Sequence, residues 1–397
     1  MPTPAAASPV TRIPRSGIRE LMELALGDPD AIHLEIGEPD VGPPAHVVDA
    51  VAAAARDGRT GYTSSLGLDA LRSAAAERVT RTHGRPTTAA EVVVTHGAMH
   101  GLAMAMATLL APGDEILFPD PGFPNWEMAA VAASAVARRY PTHAVAGFVP
   151  DPAEVEARIT PRTRAIVVCS PNNPTGAVYP DHVLAAIVDV ARRHDLWVLS
   201  DECYEAITFG VPHTSPLAHD TDGRVLGFFS LSKTYAMTGW RAGYVVVPDA
   251  RVVEALGHLA EATVACPSTT GQVGALAALT GPQDAVAAAV ASYRERRDAA
   301  CALLRRRGVR HVEPDGAFYL MVDVGEPDTD GFARRLLARR GVAVAPGSTF
   351  GEHAAGLVRV SLAAPRDLLL VGLDRLADEV GRAGGAGVAG RDVAAAR

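Results

Sequence analysis

The residues with the clearest chemical potential lie in one string, Ser230-Leu231-Ser232-Lys233-Thr234-Tyr235-Ala236-Met237-Thr238-Gly239-Trp240-Arg241-Ala242-Gly243. It follows the apolar run Val225–Phe229, which reads as a strand. An amine at Lys233, on a strand-end loop, can condense with an aldehyde. The hydroxyls of Ser230 and Ser232 and the guanidinium of Arg241 can hold a phosphate. A bare Ser-x-Ser-Lys is most often a surface turn, so the length of the string carries the argument. Further segments fit the same chemistry. Gly97-Ala98-Met99 opens a helical pattern, where main-chain N–H groups and the helix dipole favour an anion. Asp201 closes the apolar run Trp197–Ser200, a place for a buried anion beside a protonated ring nitrogen. Taken singly, Asp201 also fits a helix cap, Asn173 a turn before proline, Phe123 and Met99 plain packing, and Arg359 a solvated strand residue.

These groups must be brought together by the elements around them. Glu91–Thr95, Glu115–Phe118, Ala165–Cys169, Trp197–Ser200 and Val225–Phe229 read as strands, several of them continuously apolar. Helical patterns such as Met99–Leu110 and Asp181–Arg193 lie between them. That alternation predicts an α/β fold with a mostly parallel sheet covered on both faces. Residues that follow parallel strands share one sheet edge, so Asn173, Asp201 and Lys233 should meet there. After Pro282 a charged helix, Ala285–Arg307, leads to strand candidates Gly316–Val324, Val342–Ala345 and Val358–Leu362, a smaller α+β unit. The expected division is an N-terminal arm over 1–44, part of the small domain and carrying a short helix at Ile18–Leu26. A large domain over 45–282, a small C-terminal domain over 283–384 and a disordered tail over 385–397 follow it.

Composition narrows the function classes. The 397 residues are 48% hydrophobic and 21% charged, with a net charge of -8 and pI near 5.9. Such a balance suits a soluble globular protein and argues against a nucleic-acid or anionic-membrane partner. Cys169, Cys203, Cys266 and Cys301 form no C-x-x-C pair, so neither a metal site nor a disulfide framework is suggested. No apolar stretch reaches signal-peptide or membrane-span form, and the expected location is cytoplasmic.

The lysine string resembles the signature of class I/II aminotransferases, pyridoxal-5'-phosphate (PLP) enzymes of fold type I, and the resemblance extends over nearly the whole chain. It implies a large PLP-binding domain, a smaller α+β domain and a homodimer with active sites at the interface. It also implies roles. Lys233 would hold PLP as a Schiff base. Ser170-Pro171-Asn172-Asn173-Pro174-Thr175-Gly176 is similar to the family's N-P-T-G turn, whose asparagine, here Asn173, meets the PLP phenolic oxygen and the substrate carboxylate. Asp201-Glu202-Cys203-Tyr204 is similar to its D-x-x-Y segment, with Asp201 on the pyridine nitrogen and Tyr204 on the phenolic oxygen. Gly97, Ala98 and Met99 match the phosphate cup, joined by Ser230, Ser232 and Arg241, and Phe123 would stack on the ring. Gly37, in Ile36-Gly37-Glu38-Pro39-Asp40, lies on the substrate side, with Ile18 of the arm over the site. Tyr62 after Gly61 would reach the partner's phosphate. Arg359, in Val358-Arg359-Val360-Ser361, would grip the substrate α-carboxylate.

The implied reaction is two-step transamination. An L-amino acid leaves its amino group on the cofactor and departs as a 2-oxo acid, and a second 2-oxo acid reverses the sequence. Lys233 carries the proton taken from the substrate Cα. Other PLP reactions on the same frame, a C–S β-lyase or a PLP-dependent oxidase, are the alternative, since they share the lysine, aspartate and arginine. A PLP-sensing regulator is disfavoured, because the resemblance starts near residue 12 and leaves no room for a DNA-binding domain ahead of it. Side-chain specificity is not legible; Arg15 and Arg19 are weak candidates for a second carboxylate.

Overall fold

The computed structural model describes residues 11–384, and the expected tail over 385–397 lies outside them. Seven strands form the principal sheet: β2 Val92–Thr95, β3 Glu115–Asp120, β4 Val136–Pro141, β5 Thr163–Cys169, β6 Trp197–Asp201, β7 Val225–Ser230 and β8 Gly243–Val246. Their order is β2-β8-β7-β6-β5-β3-β4, with β8 antiparallel to both neighbours and every other pairing parallel. Every residue of β2, β3 and β8 is buried, as expected for strands covered on both faces.

Two strands of this principal sheet were not read from sequence. β4 (Val-Ala-Arg-Arg-Tyr-Pro) is the edge strand, and its charged, partly exposed residues mask the strand pattern. β8 is hidden in the end of the lysine string and returns antiparallel, without the helix that announces a parallel strand.

The topology decides what meets. Because β2 and β7 both run against β8, β2 is parallel to the rest. The C-terminal ends of β2, β3, β5, β6 and β7, with the start of β8, therefore share one edge. The register runs Cys169↔Asp201↔Phe228 and Ser230↔Gly243↔Thr95. Gly97, Phe123, Asn173, Asp201, Lys233 and Arg241 all lie within a few residues of that edge.

A second sheet has the order β12 (Ala345–Pro346), β13 (Leu357–Ser361), β10 (Tyr319–Asp323), β9 (His311–Val312), all antiparallel. β1 (Ile32–His33) pairs in parallel with β11 (Val342–Ala343), and Leu21, Ile32 and Leu34 share an apolar cluster with Val342, Val344 and Leu369. The arm is thus built into the C-terminal third. The long helices stand near their expected places, at Gly17–Ala25, Ala98–Leu109, Asp181–Arg193 and Asp284–Arg306. No single described helix is long and apolar enough to cross a membrane.

Behind the shared edge lies a buried ionic brace. Arg78 Nη2 donates to Glu205 Oε1 at 2.6 Å, and His83 Nε2 meets Oε2 at 2.7 Å. Both bonds tie the helix Asp69–His83 to the segment that follows β6. Burial alone pushes the Glu205 carboxyl up, but the Arg78 charge and the His83 bond outweigh it and hold the group down at about 2. Its folded value lies below the ordinary 4.5, so the stabilisation is full above that pH and fades as pH falls toward 2. Glu205→Gln should cost about 3 kcal/mol near pH 7, because Arg78 loses its counter-charge in a buried place. The gap in melting temperature between wild type and variant should narrow as pH is lowered from 5 toward 3. A gap independent of pH would mean that the brace acts by packing alone.

Candidate active site

At the β2 end, Gly97 caps the helix Ala98–Leu109 with φ 81°. A Cβ there would stand 2.8 Å from Arg241 Nη2, and Gly243 brings its own backbone against Gly97. The first-turn N–H groups of Ala98 and Met99 have no acceptor within their helix. Arg241, itself at φ 55°, is anchored from behind: Nη1 donates to the Thr238 carbonyl at 2.7 Å and Nη2 to the His96 carbonyl at 3.3 Å. Free N–H groups, a side-chain-free turn and a braced guanidinium form a cradle of the right chemistry for a phosphate. Ser230 caps the short helix Leu231–Thr234 by accepting from the Ser232 N–H at 3.2 Å, and Ser232 is buried beside it.

At the β6 end, Asp201 is 5% exposed and has no basic side chain in ion-pair contact among the described residues. Trp126 Nε1 donates to its Oδ2 at 3.0 Å, and the Cys203 N–H to its Oδ1 at 3.2 Å. Burial pushes its carboxyl up, against the Cys203 side chain and N–H and the Trp126 indole, which favour its charged form. Phe123 is half-buried and meets Trp126 edge-on, with ring centroids 6.0 Å apart.

Arg359 in β13 is 2% exposed, and burial lowers its pKa. Its guanidinium carbon lies 4.2 Å from the Tyr319 ring centroid and 4.9 Å from that of Phe350. Nη1 donates to Asn173 Oδ1 at 2.9 Å and Nη2 to the main-chain carbonyl of Glu35, while Nε has no partner. No described carboxylate pairs with it. The Glu35 carboxylate is engaged instead by His33 at 2.8 Å. The Tyr204 and Tyr319 hydroxyls meet at 2.9 Å, and burial pushes the Tyr204 phenol up. Tyr319 also lies against Gly37, so closely that a Cβ there would fall 1.8 Å from its oxygen. The Gly37 carbonyl in turn accepts from Lys233 Nζ at 2.6 Å. Lys233, Gly37, Tyr319, Tyr204, Arg359 and Asn173 are therefore one contiguous constellation.

Two expected participants lie farther out. Tyr62 is 91% exposed, held by a bond from Thr269 Oγ1 to the Gly61 carbonyl. Ile18 is buried in the cluster that includes Met321 and Phe350, the latter against Arg359. Arg15 is paired with Glu23 at 2.9 Å, and Arg19 donates to the Met22 sulfur at 3.7 Å.

Sequence reasoning missed Trp126, Tyr319 and Phe350. Trp126 stands three residues after Phe123, where one helical turn returns it to the same side, a usable signal. Tyr319 and Phe350 carry no local signal. A further signal was available in composition: Lys233 is the single lysine among 37 Lys and Arg residues. Arginine meets every need for mere positive charge here, and the one lysine stands where a deprotonable amine is useful.

Trp126→Phe removes the indole donor to Asp201 and leaves the donors from Cys203 in place. Hydrogen bonds to a carboxylate favour its charged form, so the Asp201 carboxyl should titrate at higher pH in the variant. Infrared difference spectra of the carboxyl band, with Asp201→Asn as the reference, would read this. An unmoved band would show that the Trp126 bond has no electrostatic effect.

Comparison with known proteins agrees with this geometry. The model of the family described as aminotransferase class I and II matches residues 29–376. A probable aspartate/prephenate aminotransferase of Thermus aquaticus is 39% identical over 90% of this chain and 93% of its own. The aspartate/prephenate aminotransferase of Thermus thermophilus is 39% identical over 91% and 94%. The solved aspartate aminotransferase of Thermus thermophilus with maleate superposes with a TM-score of 0.91 at 37% identity, covering 95% of this chain and all of that one. The match spans both sheets and every element that carries the constellation, and the chain belongs to the class I and II aminotransferases, a transaminase of fold type I.

Proposed function

We propose that this transaminase works with PLP on L-amino acids and 2-oxo acids, and that the residues gathered at the sheet edge have the roles their chemistry suits. The observation that carries the reading is a pair of buried charges with no protein partner of opposite sign. Arg359 has no anion and Asp201 no cation within bonding distance among the described residues. Unpaired buried charges are costly, so they point to ligands that complete them: a carboxylate for Arg359 and a protonated ring nitrogen for Asp201.

The residues fit PLP. Gly97, Ala98, Met99 and Arg241, with Ser230 and Ser232, would hold its phosphate, Asp201 its nitrogen, Phe123 its ring face, and Asn173 and Tyr204 its phenolic oxygen. When bound, PLP supplies an electron-accepting ring that makes the substrate Cα–H bond acidic. The protein's part is orientation and proton handling. Arg359, its guanidinium against the Tyr319 and Phe350 rings, would grip the α-carboxylate by two parallel bonds. Asn173, already bonded to Arg359, would help to orient it, and Gly37 would leave room beside it. Lys233 Nζ would take the Cα proton. Asp201, kept from water by burial, would stabilise positive charge opposite it. The division into an arm over 1–44, a large domain over 45–282 and a small domain over 283–384 belongs to the same reading. So do a homodimer in which Tyr62 reaches the neighbouring site, Ile18 lining the substrate side, and a cytoplasmic location.

The deciding experiment is single turnover. An amino acid added to the PLP-loaded enzyme should convert the cofactor to its amine form and release one equivalent of 2-oxo acid, without oxygen uptake. Oxygen consumption, or pyruvate with free ammonia or thiol, would move the protein to the oxidase or lyase chemistry of the same frame. Lys233→Ala should abolish turnover yet still bind PLP, and borohydride should fix the cofactor to Lys233 in the wild type. Label confined to the chain's terminal amine would overturn the lysine assignment.

Arg359→Lys should lower kcat/KM for amino acids by at least about a hundredfold, mostly through KM, because an ammonium cannot reproduce the fork. The absorbance of bound PLP should not change. Loss of PLP with an unchanged KM would exchange the proposed roles of Arg241 and Arg359.

A further inference from the structure

The turn that carries Phe350 is held by the large sheet at points that none of the proposed roles uses. It spans Gly347–Ala354 and joins β12 to β13, the strand of Arg359. The Phe350 carbonyl accepts from the Gly122 N–H at 2.9 Å and from Arg139 Nη1 at 2.8 Å. Next to it, Asp120 is 3% exposed and turned into the same loop. Its carboxylate accepts from the Glu352 N–H at 3.2 Å and the His353 N–H at 3.1 Å, and faces His353 Nδ1 at 3.2 Å. Between the two anchor points stands Gly351 at φ 134°. A Cβ there would fall 2.0 Å from Asp120 Oδ1 and 2.9 Å from Arg139 Nη1, so the seat admits only glycine.

We propose that Asp120 is a positioning residue for the substrate carboxylate: by clamping the 350–353 turn onto the end of β3, it keeps the Phe350 ring against the Arg359 guanidinium. This rests on the reading of Arg359 as the carboxylate site. The guanidinium lies between Tyr319, on β10, and Phe350, on the turn. Tyr319 is fixed by sheet pairing to β13, where it faces Ser361. Phe350 lies in no strand; its turn is tied at Ser348 to Thr329 Oγ1 at 3.1 Å, and beside the ring itself the anchors are Asp120, Gly122 and Arg139. Asp120 also ends the strand whose next residues are Pro121, Gly122 and Phe123. One strand end thus sets both the aromatic shelf at Phe123 and, across to the second sheet, one wall of the arginine site. A freed turn would let Phe350 leave and water reach the guanidinium, and a carboxylate is held less tightly by a hydrated cation than by a desolvated one.

The test reads carboxylate binding without turnover. Propionate is titrated into the PLP-loaded wild type, Asp120→Ala, Asp120→Asn and Gly351→Ala, with Kd from calorimetry, alongside KM and kcat for an amino donor and the melting temperature. The link predicts that Asp120→Ala and Gly351→Ala raise the propionate Kd and the amino-donor KM together by about tenfold, with kcat changed by less than about threefold. The absorbance of bound PLP should stay as in wild type. Asp120→Asn keeps a carbonyl acceptor for one N–H and should recover part of the loss. An unchanged Kd in a folded Asp120→Ala, whatever its melting temperature, overturns the link alone, as does a loss confined to kcat. Should Asp120→Ala fail to fold, Gly351→Ala decides by the same two numbers. A wild type whose propionate affinity is indifferent to Arg359→Lys would overturn the Arg359 assignment and the link with it. Failure of the transamination assay would leave these binding results standing by themselves.

Discussion

A guanidinium buried to 2% exposure with no carboxylate in ion-pair contact among the described residues is the constraint around which much of this molecule is arranged. Taking a cation out of water costs several kcal/mol, and the protein returns only part of that. Two aromatic faces, the Asn173 amide oxygen and the Glu35 carbonyl surround Arg359, each a partial negative charge and none a full one. They come from four places: β10, the turn before β13, the loop after β5, and the segment after β1. The two sheets and the arm must therefore be assembled before the arginine is tolerable, and the arginine once there favours an anion from outside. In the proposed function, the binding site is the place where the fold's own charges are left incomplete.

Asp201 is the opposite case on the same edge. It is buried among neutral donors, Trp126 and the N–H and side chain of Cys203, which support its charge without cancelling it. A basic partner would have silenced it. Two residues downstream of Cys203, Glu205 meets the other fate: Arg78 and His83 neutralise it fully, and it serves to bolt the Asp69–His83 helix behind the site. Residues of one type, within five positions, differ in role because one faces the sheet edge and the other the helix layer.

Lys233 stands in the short helix Leu231–Thr234, and the loop after it has a backbone unusual for the residues it uses, with Ala236 at φ 53° and Arg241 at φ 55°. Non-glycine residues seldom adopt that region, and such strain persists where the surroundings over-determine it. Here they do. Gly243 begins β8 against both Ser230 and Thr95, so the loop is closed at its two ends by strand register and its length is set. The turn brings Arg241 back to Gly97, joining the first and the last βα connections of the sheet into one cradle.

The linear chain determined much of this. Apolar β-branched runs bounded by turns marked five of the seven strands, because strands covered on both faces must be apolar throughout. Lys233, Asp201, Asn173 and Arg359 could be named because the strings around them, taken jointly and in chain order, resemble those of one family, and parallel topology implied that the first three share an edge. The sole lysine was also there to be counted. The edge strand β4 escaped because its exposed arginines break the apolar pattern, and β8 because an antiparallel return needs no helix. Tertiary structure alone decided which aromatic rings flank Arg359, that Trp126 rather than a charged group holds Asp201, and that Asp120 reaches a turn more than two hundred residues away. These contacts link distant segments, and nothing in the spacing of a linear sequence encodes a pairing that only the packing of two sheets creates.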